Sequence, residues 1–161
     1  MTAPNLETLF DIEDVFEDTA KYDIAVAITT PTISIFKTYE ESDLIVPRVE
    51  VNFELGSGLE PIKLSGNGSN EEYMAYEASF TVKVVTDATL EGNETEHKLI
   101  RSKLRSLYTR NSDAFPTASL NYYSLKYLKP ENTSYDNDDD FYVSELSYSM
   151  IIGIKDDSFP V

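Results

Sequence analysis

The sequence contains no cysteine and no tryptophan. Without cysteine there is no disulfide, no thiolate nucleophile and no Cys-ligated zinc. The lack fits a reducing compartment, where disulfides do not persist. Histidine occurs once, at His97, so a zinc site would rest on carboxylates, which serve that ion poorly. No apolar run approaches the roughly 20 residues that span a bilayer. The opening residues, MTAPNLETLF, hold neither the basic start nor the apolar run of a secretory leader. A cytoplasmic site of synthesis and no membrane partner are therefore expected. The three N-x-[ST] sequons at Asn67, Asn93 and Asn132 are then expected to be incidental. Basic residues are scarce: 13 Lys and Arg stand against 29 Asp and Glu, a formal net charge of −16. Such a surface repels phosphate backbones and anionic lipid. It argues against DNA binding, although not against a position beside DNA.

What is present is enough for one folded unit. The 161 residues are close to one domain, 1–161, and can bury a core without staples. Hydrophobic residues make up 41 % and aromatics 12 % of the chain, well above the range of disordered chains.

Periodicity gives the elements. Leu6, Leu9, Ile12, Phe16 and Ala20 share one stripe at helical spacing, predicting a helix over 5–20. Asn5 is placed to cap it. From Glu7 to Asp18 there are six acids and no base. DIAVAI, 23–28, reads equally as more helix or as a short strand. Pro31 bars a helix through that point, and TISIF beyond it reads as a strand. In PRVEVNFEL, Val49, Val51, Phe53 and Leu55 alternate with Arg48, Glu50, Asn52 and Glu54, the mark of a strand with one wet face. Four of the six glycines follow in 56–70, predicted as a flexible hairpin loop. YMAYEASFTVKVV is a second alternating strand. A second helix is expected over 93–108, with Asn93 and Glu96 as a capping-box-like start. Its apolar stripe is His97, Ile100, Leu104, Leu107 and Tyr108, and Lys98, Arg101 and Arg105 form a basic stripe beside it. Then come a strand LNYYSLKYL, an acidic loop over 129–140 and a long last strand from Phe141 to about Ile154. Hairpin-joined strands with helices between them predict an α+β fold: two layers, a mostly antiparallel sheet and both helices on one face.

Catalytic and ligand motifs fail on inspection. Asp136, Asp138 and Asp140 open like a calcium loop, but Phe141 and Ser147 stand where glycine and glutamate are required. His97 lies on the apolar flank of its helix and reads as a packed, hydrogen-bonded residue. No G-x-S-x-G elbow, P-loop or dinucleotide fingerprint occurs. The 11 Tyr and 8 Phe could stack bases, but the strands carrying them are acidic or neutral, so core and subunit packing is the expectation. No enzyme activity, cofactor or metal is expected.

The order of segments carries a resemblance. An acidic helix leads to VPRVEVNFEL, YMAYEASFTVKVVTDA and TEHKLIRSKLRSLY, then YYSLKYLK, an acidic stretch and FYVSELSYSMIIGI. This order, over nearly the whole chain, resembles the tail-terminator (tail-completion, minor tail protein U-like) family of long-tailed bacteriophages. The resemblance implies a virion protein of the tail or neck, assembled in the host cytoplasm as a homohexameric ring at the head-proximal end of the tail. Such a ring ends tube growth, binds the tail tube protein and docks on the head–tail connector or stopper protein. DNA passes through its lumen without specific binding. The alternatives are another neck or head-completion ring protein, or a non-viral cytoplasmic protein-binding module.

Two sets of residues carry these expectations. A ring needs a patch that meets a different patch on the neighbouring copy, and Lys98, Arg101 and Arg105 against Asp11, Asp14 and Asp18 would supply opposite charges. A channel through which DNA slides should repel phosphate, and Asp136, Asp138, Asp139 and Asp140, or the first helix, would line it.

Overall fold

The computed structural model describes residues 6–38, 40, 45–63, 72–89, 91–108, 122–138 and 140–155. Among the described residues seven elements follow in order: α1 (Leu6–Ala27), β1 (Ser34–Lys37), β2 (Arg48–Lys63), β3 (Glu72–Asp87), α2 (Asn93–Leu107), β4 (Tyr122–Asp138) and β5 (Phe141–Lys155). The strands form one sheet in the order β1-β2-β3-β5-β4. Only β1–β2 is parallel; the other three pairings are antiparallel. The fold is α+β, as the patterning predicts.

Both helices lie on the same face, because the apolar alternation of three strands points there. Val49, Val51 and Phe53 of β2, Phe80, Val82 and Val84 of β3, and Leu146, Tyr148 and Met150 of β5 are buried together. They meet Phe16, Ala20 and Ile24 on α1 and Ile28 just past its end, all at four-residue spacing, and Ile100 and Leu104 on α2. Each Val, Leu, Ile, Phe or Met among them contributes about 1.5–3 kcal/mol when taken fully out of water. Phe16 stacks on Phe53 with ring centres 4.2 Å apart, and Phe80 meets Tyr108 edge-on at 4.9 Å. α1 rests on β1 and β2, and α2 on β3 and β5.

The opposite face is polar. Glu50, Lys83 and Glu145 stand side by side on β2, β3 and β5, a row of alternating charge. Arg48 is buried there but paired, 2.7 Å from Glu50, with its guanidinium 5.0 Å above the Phe36 ring.

Four expectations change. α1 runs past residue 20 to Ala27, because Ile24 and Ile28 continue the buried stripe, so DIAVAI is helical up to Ala27. The glycine-rich 56–70 segment is not all loop: β2 continues to Lys63, with register shifts near Gly58 and Pro61 that absorb its irregular residues. At Gly56 a Cβ would lie 3.1 Å from the Glu77 carbonyl oxygen, which explains a glycine inside a strand. The 129–140 segment is strand as far as Asp138, pairing with Phe141–Ser149 of β5. As an edge strand, β4 needs no apolar alternation, so its polar sequence reads as loop. Last, α2 is capped by Gly92, in the left-handed region at φ 89°, and not by Asn93. The Asn93 amide instead donates to the Asp87 carbonyl at 2.8 Å.

Candidate functional site

The two charged stripes sit at opposite sides of the helical layer. On α1, Asp14 and Asp18 turn toward the β1 edge of the sheet, where both pair with Lys37. The Asp18 contact is 2.8 Å. Burial works against the Lys37 ammonium, but hydrogen bonds and charge from Asp14 and Asp18 outweigh it and raise its pKa. Lys21 and Glu40 extend the same flank, 3.1 Å apart. Asp11 lies in α1, and its side chain falls outside the described residues.

On α2, the basic stripe faces away from α1. The Arg105 charge reaches Tyr148 on β5, partly offsetting the burial that pushes that phenol up to about 12. Arg101 acts on the neighbouring His97. Lys98 pairs with Glu94 one turn earlier at 2.7 Å. Lys103, on the other flank, donates to the Thr30 carbonyl at 2.8 Å. Across the sheet the order is thus acids over β1, apolar core over β2 and β3, and bases toward β5.

A groove of about 580 Å³ opens on the acidic flank, lined by Glu13, Glu17, Lys37, Glu40, Phe53 and Leu55 among others. Its floor is the margin of β2 beyond β1. The last rung toward β1 is the Thr38 N–H donating to the Val51 carbonyl. The next two outward amides, Phe53 and Leu55, donate instead to the carboxylates of Glu17 and Glu13, at 3.3 and 2.9 Å. Two helix side chains therefore stand where a strand would bond, which blunts the edge. Burial raises the Glu17 pKa, opposed by the Phe53 amide and Lys37. These two glutamates are absent from the expected sites. Their signal in the sequence is spacing: Glu13 and Glu17 lie one turn apart, flanking Phe16 and Ala20 on the buried stripe.

His97 is the packed residue expected. Its Nδ1 is 2.8 Å from the Thr86 hydroxyl and its Nε2 2.8 Å from the Ser144 hydroxyl, all three residues being buried. In the neutral ring one nitrogen donates and the other accepts. The group joins α2 to β3 and β5. Burial, then the Arg101 charge, lower its pKa to about 4.

The expected channel acids fall around the β4–β5 turn. Asp136 and Asp138 are in β4, opposite Val143 and Phe141. Asp140 is exposed in the turn at φ 68°, and its carbonyl accepts from the Ala88 N–H at 2.7 Å. Asp139 and the side chains of Asp136 and Asp138 fall outside the described residues. Among the described residues there is no cluster of three or more metal-ligating side chains, and no helix is long and apolar enough to cross a membrane.

No protein-family profile matches the chain, and no curated protein matches it. Among solved structures it is similar to a chain from the virion of a native gene transfer agent (GTA) particle. The identity is 13 %, over 86 % of this chain and 91 % of that one, with a TM-score of 0.48. A second solved chain overlaps at 13 % identity, over 85 % and 94 % of the two chains, with a TM-score of 0.43.

Proposed function

We propose that this chain is a structural virion protein of a long-tailed phage-like particle, a tail terminator that closes head-to-tail into a ring. The ring ends the tail tube and joins it to the head connector, with DNA passing through its centre. Support comes first from the order of elements over the chain. The observation that carries the reading is the separation of charge: acids on the β1 side of the helical layer, bases on the β5 side. A chain with opposite charges on opposite flanks suits a heterologous contact that repeats around an axis. In the cluster over β1, Lys37 is shared by two carboxylates, so the cluster keeps negative charge for the neighbour's Arg101 and Arg105.

In this reading the Asp136–Asp140 turn region faces the lumen, where its charge keeps the phosphate backbone from sticking. The test is deletion of the gene in its phage. Heads and tails that fail to join, with tails of abnormal length, are expected. Normal virions from the deletion would rule the reading out.

A further inference from the structure

Charge alone holds a subunit contact poorly, because exposed ion pairs contribute little and fade with salt. A stable contact needs an apolar centre inside its polar rim. Both helices carry exposed apolar side chains on their outward sides. On α1, Tyr22 is 70 % and Val26 62 % exposed. They follow Asp18 at four-residue steps, so Asp14, Asp18, Tyr22 and Val26 form one outward ridge. On α2, Leu99 is 45 % exposed on the outward side of the helix, one turn before Lys103 and roughly 100° around the axis from Lys98. One helix carries an acidic and apolar ridge, and on the other an apolar side chain lies between two lysines.

We propose that Tyr22 and Val26 of one copy pack against Leu99 of the next copy. They form the apolar centre of a contact whose rim is Asp14 and Asp18 on one side and Lys98 and Lys103, which flank Leu99, on the other. The occupant of each ridge is thus a second copy of this chain, selected by charge complementarity. This rests on the head-to-tail reading above and names the side chains that give it affinity. Tyrosine suits such a place, since it offers a large rigid surface with a polar tip.

The chain has no cysteine, so thiols introduced singly report without background. Two full-length variants, Tyr22→Cys and Leu99→Cys, one carrying a mass tag, are mixed in equal amounts and oxidised. The expected product is the mixed Tyr22–Leu99 cross-link, in clear excess over either homodimer. Leu99→Asp, at a position already open to water, is expected to weaken self-association on the order of tenfold while the melting temperature holds. Homodimer cross-links in excess would overturn the pairing. So would an assembled oligomer in which neither thiol is linked, or a concentrated sample that stays monomeric and unlinked. None of these results touches the particle position, which the deletion decides separately.

Discussion

The carboxylate of Glu17 accepts a hydrogen bond from the backbone N–H of Phe53, 36 residues away, at 3.3 Å. One position earlier on α1, the Phe16 ring lies flat on the Phe53 ring. A helix and a strand margin are thus fixed by adjacent apolar and polar contacts. The strand amide that would otherwise wait for another chain is satisfied from within.

Two substitutions at Glu17 separate its roles as acceptor and as charge. Alanine leaves the Phe53 amide without that acceptor and should cost about 1–3 kcal/mol. Glutamine keeps an acceptor and removes the charge that burial disfavours. At neutral pH Glu17→Gln should therefore match or exceed the parent in stability. Because the folded pKa is raised, the charge cost is present at high pH and vanishes below the unfolded value near 4.5. Any advantage of glutamine should shrink over the same range. Urea midpoints at neutral and acid pH measure it. Equal losses for alanine and glutamine would show that the contact depends on charge.

His97 sets a second pH dependence, of opposite sign. Its folded pKa is lowered to about 4 from an ordinary 6.5, so the folded state prefers the neutral ring. The stabilising effect of neutrality is complete above pH 6.5 and is lost as pH falls toward 4. The shift corresponds to about 3 kcal/mol. His97→Gln should be less stable than the parent at neutral pH, having lost the fit between Thr86 and Ser144. The difference should narrow on acidification through this window. A parallel pair of urea-midpoint curves would mean that the imidazole does not titrate with folding.

The half-buried strands were the most legible part of the sequence. Val49 to Leu55, Phe80 to Val84 and Leu146 to Met150 show period-two alternation, because one face meets the helices and the other meets water. β4 shows no such pattern between Asn132 and Asp138, since an edge strand can be held by its ladder with β5 alone. The end of α1 was ambiguous because Ile24 and Ile28 suit either period, and the sheet beneath decides. Of the candidate site, the two charged stripes were visible as composition. Their ties were not: Lys37 lies 23 residues from Asp14 and draws it in through β1, a contact that no local spacing announces. The glutamate caps on Phe53 and Leu55 depend on where β1 stops, which is a property of the sheet and not of the helix.

The in-chain hold of Lys37 on Asp14 and Asp18 gives the charge reading a test with two opposite signs. Reversing Lys98, Arg101 and Arg105 together to glutamate places like charges across the contact. Self-association should weaken by on the order of ten- to a hundredfold, given about 0.2–1 kcal/mol per exposed pair. The loss should be larger at low salt, since screening reaches only about 10 Å at 0.1 M. Lys37→Met removes the internal counter-charge and leaves both aspartates to the neighbour. That change should strengthen association at low salt, with a small cost to the fold because methionine keeps an apolar stem where the Lys37 side chain is only 15 % exposed. Sedimentation across a salt series reads both. Opposite shifts that converge at high salt are the expected pattern. If the triple reversal leaves association unchanged while Lys37→Met weakens it, the acids serve α1 and β1 of their own chain, and the basic stripe meets some other partner.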